Sequence, residues 1–253
     1  MRTLALNIGN TTLLGALFQG TRLSRRFRIP RAQSLRALEA ALRSEIGTRP
    51  IDRTVYCSVV PKLTDSLARI LKKLTGRAPF LLNADAPHGL KIGYLEPRRL
   101  GTDRLAAVLG ARALIPDTDL IVLDCGTAST VTALRADGLL CGGAILPGLG
   151  LWSEALAART AQLPAIKASA PARATGRSPE QAIASGLYHG HLGALERLTA
   201  RIAAESFGEN PFALVATGGN ARIFRREKLF THIEPELILL GLLAFSANIT
   251  HDA

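Results

Sequence analysis

The chain has 253 residues, of which 47% are hydrophobic and 20% charged, and this balance supports a large buried core and excludes an intrinsically disordered protein. The formal net charge is +11, which favours anionic partners. The excess positive charge comes mostly from scattered arginines with few aromatic residues between them, so nucleic acid is not expected as a partner.

The hydrophobic runs and the cysteines restrict the class of protein further. The longest apolar run, Leu237 to Phe245, is shorter than the roughly 18 residues that a membrane-spanning helix needs, so no membrane partner is expected. Residues 1 to 6 lack the longer apolar stretch of a signal peptide, and we therefore expect a cytoplasmic protein. The three cysteines show no C-x-x-C spacing, which indicates neither a disulfide framework nor a zinc site.

The first half of the chain predicts strands that alternate with helices. The apolar strand Leu4 to Leu6 leads into a polar turn, Asn7 to Thr12. A further helix, Leu105 to Leu114, ends before Pro116. Between them, apolar spacing predicts a helix, a strand, a second helix and a second strand, at Ser34 to Ile46, Thr54 to Val60, Leu63 to Leu74 and Phe80 to Leu82.

The second half begins in the same way. The strand Ile121 to Leu123 leads into the turn Asp124 to Thr130, and a third strand follows at Leu139 to Leu146. Ser178 as N-cap and Pro179 at the first helical position start a long predicted helix that reaches about residue 204. The remaining predicted elements are a helix around Leu151 to Ala158, a surface loop from Ala165 to Gly176, a strand at Phe212 to Ala216 before Thr217-Gly218-Gly219, and a closing helix from Pro235 to Ala247.

The two strand-and-turn segments repeat each other. Leu4 to Leu14 can be laid over Ile121 to Val131, and each segment reads as an apolar strand, a hydroxyl-rich turn with a glycine, and a second apolar strand. The economical interpretation is a duplicated α/β unit. We therefore predict two lobes, at residues 1–115 and 116–253, with a cleft between them across which the two turns face each other.

The two turns are candidate phosphate sites. The chain contains neither G-x-x-x-x-G-K-[ST] nor G-x-G-x-x-G after a strand, so the common phosphate loops are absent. A turn of this kind offers backbone N–H groups and hydroxyls to an anion, and Gly9 or Gly126 lets a phosphate come close. One such turn alone is typical of an ordinary hairpin. Two matched copies and the Gly218-Gly219 pair favour the phosphate interpretation.

A second candidate site is Gly101-Thr102-Asp103-Arg104. Phosphoryl transfer to an alcohol needs a base near the hydroxyl, and Asp103 can accept that proton. Arg104 can hold a carboxylate through two hydrogen bonds. Taken alone, an Asp-Arg pair at the start of a helix is also typical of helix capping.

The order of these motifs indicates a family. The chain resembles type III pantothenate kinase, of the superfamily of sugar kinases and actin-like ATPases, over almost its full length. The resemblance implies an α/β fold of two duplicated RNase H-like lobes, with mixed sheets flanked by helices. The matching segments are, in chain order, Asn7 to Thr11, Ser58 to Pro61, Tyr94 and Pro97 with Gly101 to Arg104, Asp124 to Thr130, Gly142 to Gly148, Thr160 to Pro164, Ser185-Gly186 and Thr217 to Gly219.

The resemblance also implies an activity and its cofactors. By likeness to the family, the chain is expected to phosphorylate pantothenate with ATP, the first step of coenzyme A biosynthesis, as a homodimer that needs Mg²⁺ and K⁺ or NH₄⁺. Asp103 is the implied catalytic base, and Asp124 is implied to lie near the monovalent cation. The implied pantothenate residues are Tyr94, Gly101, Thr102, Asp103, Arg104 and Thr160. The implied ATP phosphate residues are Asn7, Gly9, Asn10, Thr11, Gly126, Thr127, Ala128, Gly218 and Gly219.

Three positions depart from the family pattern. Asn7 stands where the family usually has Asp, Glu96 where Asn commonly precedes Pro97, and Thr132 where Asp is frequent. An amide oxygen is a weaker ligand than a carboxylate for Mg²⁺, so Asn7 is expected to hold the metal weakly, through water. An alternative therefore stays open: a catalytically weakened homologue that acts as a ligand-binding or regulatory accessory protein.

Overall fold

The computed structural model describes residues 1–30 and 34–249. The chain forms two units. Of the described residues, the first unit contains 1–30, 34–90, 94–114 and 236–249, and the second contains Lys91–Gly93 and Ile115–Pro235. These units differ from lobes at 1–115 and 116–253, because the closing segment groups with the first unit and the short segment at Lys91 with the second.

The first unit is built on a five-stranded mixed sheet. Its strands are β1 (Arg2–Ile8), β2 (Thr12–Gln19), β3 (Arg22–Pro30), β4 (Arg53–Ser58) and β5 (Phe80–Leu81). Their order in the sheet is β3-β2-β1-β4-β5. The β1–β2 and β2–β3 pairs are antiparallel, whereas β4 and β5 continue the sheet in parallel. Leu4, Ala5 and Leu6 are fully buried, as expected for a central strand covered on both faces.

The helices of the first unit begin and end at residues with the expected capping chemistry. They are α1 (Leu35–Ile46), α2 (Pro61–Thr75), α3 (Thr102–Leu114), which follows a 3₁₀ turn at Pro97–Arg99, and, near the end of the chain, α7 (Leu237–Ala247). The Ser34 hydroxyl oxygen caps α1 by accepting the Ala37 N–H at 3.2 Å. Helix α2 has Pro61 in its first turn and ends at Gly76 in the left-handed conformation, with φ of 74°.

The second unit repeats the sheet of the first. Its strands are β6 (Lys91–Ile92), β7 (Asp119–Cys125), β8 (Ala128–Leu134), β9 (Leu139–Pro147), β10 (Phe212–Thr217) and β11 (His232–Ile233), in the order β11-β10-β7-β8-β9-β6. Strands β7, β8 and β9 form an antiparallel meander, as β1, β2 and β3 do. Strands β10 and β11 then extend the sheet in parallel from β7, as β4 and β5 do from β1. This shared topology confirms the predicted duplicated α/β fold.

Three α-helices, a π-helical turn and a 3₁₀ turn at Ala221–Phe224 complete the second unit. The helices are α4 (Leu149–Arg159), α5 (Pro179–Ser185) and α6 (His191–Phe207). The helix predicted from Pro179 is present, but a π-helical turn, Gly186–Gly190, separates α5 from α6. In neither unit does a helix among the described residues combine the length and the apolar character needed to cross a membrane.

Helices α3 and α7 pack in very close contact within the first unit. A Cβ on Gly241 would overlap the Ala106 carbonyl group and lie 2.8 Å from the Gly110 backbone nitrogen. Only glycine at position 241 therefore allows the two backbones to approach this closely. Helix α7 contributes four fully or almost fully buried apolar side chains to this unit, Leu237, Leu239, Leu242 and Phe245. It thereby fixes α3, whose first turn carries Asp103.

Candidate active site

The first hydroxyl-rich turn connects β1 to β2. The Gly9 N–H donates to the Thr12 carbonyl oxygen at 2.9 Å and closes the turn. A Cβ on Gly9 would lie 3.2 Å from that oxygen, so glycine suits the position. Asn10 and Thr11 are exposed at the tip. The turn therefore presents small polar residues to a ligand, as the sequence pattern predicts.

The Asn7 side chain is buried beside β4. It is 6% exposed, and its Oδ1 accepts the thiol hydrogen of Cys57 at 3.3 Å. Burial and the Asp103 carboxylate raise the pKa of the Cys57 thiol well above its usual value, and a hydrogen bond with Thr102 opposes the rise. Cys57 is therefore a neutral thiol that neighbours both the Asn7 amide and the candidate base. No sequence motif predicts this contact, because the two residues are 50 positions apart.

Asp103 occupies the first turn of α3. Its Oδ1 accepts the Arg104 N–H at 2.8 Å, and the Thr102 hydroxyl ties the helix start to β4 by donating to the Ser58 carbonyl oxygen at 3.0 Å. A Cβ on Gly101 would lie 2.7 Å from Asp103 Oδ1, so glycine leaves the room that this carboxylate occupies. Burial raises the pKa of Asp103, although the N–H and the charge of Arg104 offset part of the rise. A half-buried carboxylate with a raised pKa is suited to accept a proton.

Tyr94 holds the Arg104 side chain next to this carboxylate. Arg104 is 6% exposed, and its Nη1 donates to the Tyr94 hydroxyl. The guanidinium carbon lies 5.6 Å from the centre of the Tyr94 ring, which adds a cation–π contact. The structure thus brings together the predicted substrate residues of the first unit, Tyr94, Gly101, Thr102, Asp103 and Arg104. A guanidinium fixed in this way can bind a carboxylate with little loss of side-chain entropy.

The second hydroxyl-rich turn connects β7 to β8. The Gly126 N–H donates to the Ala128 carbonyl oxygen at 3.1 Å, so a glycine N–H closes this turn as well, with its acceptor two residues ahead instead of three. The Gly148 N–H donates to the Thr127 carbonyl oxygen at 3.0 Å. A Cβ on Gly148 would lie 2.9 Å from the Thr127 carbonyl carbon, so the residue before α4 braces this turn only as glycine. Sequence reasoning assigned no such contact to Gly148.

The Gly218-Gly219 pair lies directly against the end of β7. Gly218 has a φ of +88°, and a Cβ there would overlap the Asp124 carboxylate and lie 2.6 Å from the Cys125 carbonyl carbon. The Asn220 N–H donates to the Cys125 carbonyl oxygen at 3.0 Å. Gly219 is exposed. The structure therefore brings together the predicted residues of the second unit, Asp124, Gly126, Thr127, Ala128, Gly218 and Gly219.

A buried histidine contacts β8 just beyond the second turn. The Ser129 Oγ and the His191 Nε2 are 3.0 Å apart, and His191 is fully buried. The imidazole packs edge-on against Trp152 at 5.5 Å and stacks on Phe224 at 5.8 Å between ring centres. Strand β8, helix α4 and the 3₁₀ turn Ala221–Phe224 therefore meet at one side chain. The spacing of these residues along the chain does not predict their contact.

The remaining predictions concern Thr160 and the residues expected to lie near metal ions. Thr160 is exposed at the end of α4, donates to the Leu156 carbonyl oxygen at 2.7 Å and belongs to the second unit. Within residues 1–30 and 34–249, no group of three or more His, Cys, Asp or Glu side chains is placed to hold a metal ion. The two residues predicted to lie near metals are Asn7 and Asp124. Each would supply one side-chain ligand, an amide oxygen from Asn7 and a carboxylate oxygen from Asp124.

Comparisons with known proteins address the family of the chain. The family model described as type III pantothenate kinase matches residues 3–201. A type III pantothenate kinase from Legionella pneumophila (strain Corby) is 36% identical over 245 residues, which cover 94% of this chain and 96% of the relative. The type III pantothenate kinase 1 of Francisella tularensis subsp. holarctica (strain OSU18) is 36% identical, with 94% and 95% covered. The enzyme from Dehalococcoides mccartyi is 34% identical, with 95% of both chains covered.

Solved structures address the fold. A protein described as a Baf family transcriptional activator, from Campylobacter jejuni, has a TM-score of 0.65 at 19% identity and covers 97% of this chain and 100% of that chain. A protein described as an N-acetylmannosamine kinase, from Listeria monocytogenes, has a TM-score of 0.52 at 16% identity, with 98% and 99% covered. At these identities the similarity concerns the fold alone. The family match and the 34–36% identity over nearly the whole chain establish that this protein belongs to the type III pantothenate kinase family.

Proposed function

We propose that this chain transfers the terminal phosphoryl group of ATP to the primary hydroxyl of pantothenate, giving 4'-phosphopantothenate and ADP in the first step of coenzyme A biosynthesis. Relatives that align with nearly the whole chain carry the name of this activity. The observation that carries the proposal is Asp103, a half-buried carboxylate with a raised pKa beside a guanidinium that Tyr94 orients.

In this proposal, Asp103 is the general base. It accepts the proton of the pantothenate hydroxyl while the hydroxyl oxygen bonds to the γ-phosphorus of ATP. The bond between that phosphorus and the oxygen bridging it to the β-phosphate breaks, and ADP leaves with the electron pair. Arg104 holds the pantothenate carboxylate in bidentate fashion, which positions the hydroxyl toward Asp103. Tyr94, Gly101 and Thr102 are further proposed pantothenate contacts in the first unit, and Thr160 is a proposed contact from the second unit.

The two turns are proposed to hold the phosphates of ATP. Both are closed by a glycine N–H bond and expose small polar residues at the tip, so backbone N–H groups and hydroxyls can reach an anion. The proposed contacts are Asn7, Gly9, Asn10, Thr11, Gly126, Thr127, Ala128, Gly218 and Gly219. Every one of these residues is small or carries a neutral polar group, which fits close approach to a polyphosphate.

The donor set also fits the expected cations. Bound Mg²⁺ would spread the negative charge that develops on the transferred group. Asn7 Oδ1 has two lone pairs and the Cys57 thiol uses one, which leaves one for a metal-bound water. Asp124 is half-buried and offers a hard carboxylate oxygen to K⁺ or NH₄⁺. Family membership further supports a homodimer in the cytoplasm, in which the partner subunit closes the pantothenate site.

An activity assay tests the proposal. Purified protein with ATP, Mg²⁺, K⁺ and pantothenate should form ADP in a pantothenate-dependent manner, and Asp103→Asn should lower kcat by roughly 10²- to 10⁴-fold, the usual contribution of a general base. The raised pKa means that the folded state disfavours the ionised carboxylate, so stability falls as the pH rises from 3.8 through the shifted pKa. The neutral amide of Asp103→Asn avoids this cost, so the Tm of this variant should equal or exceed that of the wild type.

The matched control is Asp65→Asn, which removes an exposed carboxylate from α2 and should leave kcat unchanged. Wild-type turnover in Asp103→Asn would show that this carboxylate is not the base. A protein that binds pantothenate but forms no ADP at any metal concentration would instead be the weakened accessory homologue.

A further inference from the structure

A cavity outside the candidate active site lies in the first unit, at the end of β1 opposite to the Asn7 turn. Its volume is about 710 Å³, within the range of small-molecule sites. The start of β1, the β2–β3 hairpin and the end of α1 border it. Because β1 has seven residues, about 20 Å of strand separates the cavity from the turn.

Four arginines line this cavity, which we call the arginine cavity: Arg2, Arg22, Arg25 and Arg49. One lining residue is acidic, Glu45, and it pairs with Arg25 at 2.6 Å. In the part of the chain that the structure describes, no carboxylate lies within ion-pair distance of the Arg22 or Arg49 guanidinium. Both side chains are exposed and can turn toward a ligand.

Arg2 provides a fixed positive charge at the cavity. Its Nη2 donates to the Ile46 carbonyl oxygen at 3.0 Å, and its Nη1 donates to the Arg49 carbonyl oxygen. The Asp52 carboxylate accepts the Arg2 backbone N–H at 2.6 Å but does not line the cavity. The lining therefore carries four positive charges and one negative charge. Like charges gathered in one concave site repel each other, and a bound polyanion relieves that repulsion.

The cavity also has an apolar side. Leu17 and Ile46 are buried in its lining, and Leu23 is 39% exposed next to Arg22. An exposed leucine beside guanidinium groups offers surface to an apolar or aromatic moiety, on which arginine can also stack. A purely inorganic anion would leave this side unused.

We propose that the arginine cavity binds a small organic anion that carries two or more phosphate groups and an aromatic or apolar moiety, of the nucleoside diphosphate class. The volume accommodates a ligand of that size, and the excess of three positive charges matches its charge. This site is distinct from the phosphate turns and contains none of the residues assigned to catalysis or substrate binding.

Calorimetric titration with ADP counts the sites. Wild-type protein should bind two equivalents of ADP per chain, one at the proposed active site and one at the arginine cavity. Arg22→Ala/Arg49→Ala should lose one equivalent, through at least a tenfold weaker Kd, and keep its basal turnover. The control Arg36→Ala/Arg69→Ala removes two exposed arginines on α1 and α2, changes net charge equally and should bind two equivalents. One equivalent in the wild type, or an unchanged second event in Arg22→Ala/Arg49→Ala, overturns the proposal.

A titration with pyrophosphate and the pattern of ADP binding across the variants test the type of ligand and separate this proposal from the proposed kinase activity. Inorganic pyrophosphate should bind the arginine cavity at least tenfold more weakly than ADP, and equal affinity would overturn the assignment of an organic ligand. If the chain were not a kinase, the event at the active site would be missing from wild type and control alike, while the event that Arg22→Ala/Arg49→Ala removes would persist.

Discussion

The position of the Asp103 carboxylate depends on the missing side chain at Gly101. Since a Cβ at residue 101 would lie 2.7 Å from Asp103 Oδ1, Gly101→Ala must displace the carboxylate by several tenths of an ångström or more. We expect kcat to fall by about 10²-fold, the usual effect of a small misplacement of a reacting group, with little change in the KM for ATP. Steady-state kinetics measure both. Gly150→Ala, where an added Cβ meets nothing within 4 Å, is the control, and wild-type kcat in Gly101→Ala would contradict the coupling.

Asn7 bears on the proposed metal site. A carboxylate is a stronger ligand than an amide for Mg²⁺, so Asn7→Asp should lower the Mg²⁺ concentration that gives half-maximal activity. Titration of activity with Mg²⁺ at fixed K⁺ measures this. Asn10→Asp adds the same charge at the exposed tip of the same turn and serves as the control. An unchanged or higher Mg²⁺ requirement in Asn7→Asp, or an equal effect in both variants, would count against the proposed role.

The sequence pattern predicts candidate site residues that lie together in one short segment, but it does not predict the residues that contact them. Asp103 and Arg104 are adjacent, so one motif predicts both. The residues around them come from distant segments. The Thr102 hydroxyl donates to a carbonyl oxygen of β4, and the Cys57 thiol donates to Asn7 while it lies near enough to Asp103 to be affected by its charge. No local signal marks such neighbours, because they meet only after β4 pairs with β1.

At the level of elements, His191 joins β8, α4 and the 3₁₀ turn after Gly218-Gly219. Burial lowers the pKa of His191 and also that of His88. The unfolded chain therefore binds these protons at a higher pH than the folded chain does, so the free energy of unfolding should fall as the pH drops below about 6.5. His191→Gln should reduce this slope by up to about 1.4 kcal/mol per pH unit.

Urea unfolding at several pH values between 5 and 7.5 measures the slope. His88→Gln is the matched comparison and should remove the other contribution, since its site lies in the first unit. Equal slopes in His191→Gln and the wild type would show that His191 does not control acid stability.

The sequence predicts the elements that are marked by apolar spacing, a continuous apolar run or capping residues. The helices near Ser34 and Pro179 follow from capping residues and spacing. The sequence does not predict strand β3, because four of its nine residues are arginines and only Phe27 and Ile29 are buried, as suits an edge strand. Strands β6 and β11 have two residues each, too few for any period, and depend entirely on their neighbours.

At the scale of the whole chain, the two units are interleaved in sequence. The repeat at Asn7 and Asp124 predicted two lobes in succession, but the chain places α7 in the first unit and β6 in the second. Helix α7 is apolar around most of its surface, which predicts burial without indicating a partner. Its partner is α3, and the contact depends on glycines that carry no hydrophobic signal.

Because of this interleaving, helix α7 is expected to affect the position of Asp103 through its contact with α3. In Gly241→Ala the added Cβ would overlap the Ala106 carbonyl group, so α7 and α3 must separate. Overpacking of this kind costs about 1–3 kcal/mol, and Tm should fall by about 5 °C or more. Because α3 carries Asp103, kcat should also fall at temperatures where the variant is still folded. Gly193→Ala, on an exposed part of α6 where a Cβ meets nothing within 4 Å, should keep or raise Tm because alanine favours a helix. Thermal melts and kinetics that showed Gly241→Ala to be as stable and as active as Gly193→Ala would mean that α7 does not position the proposed base.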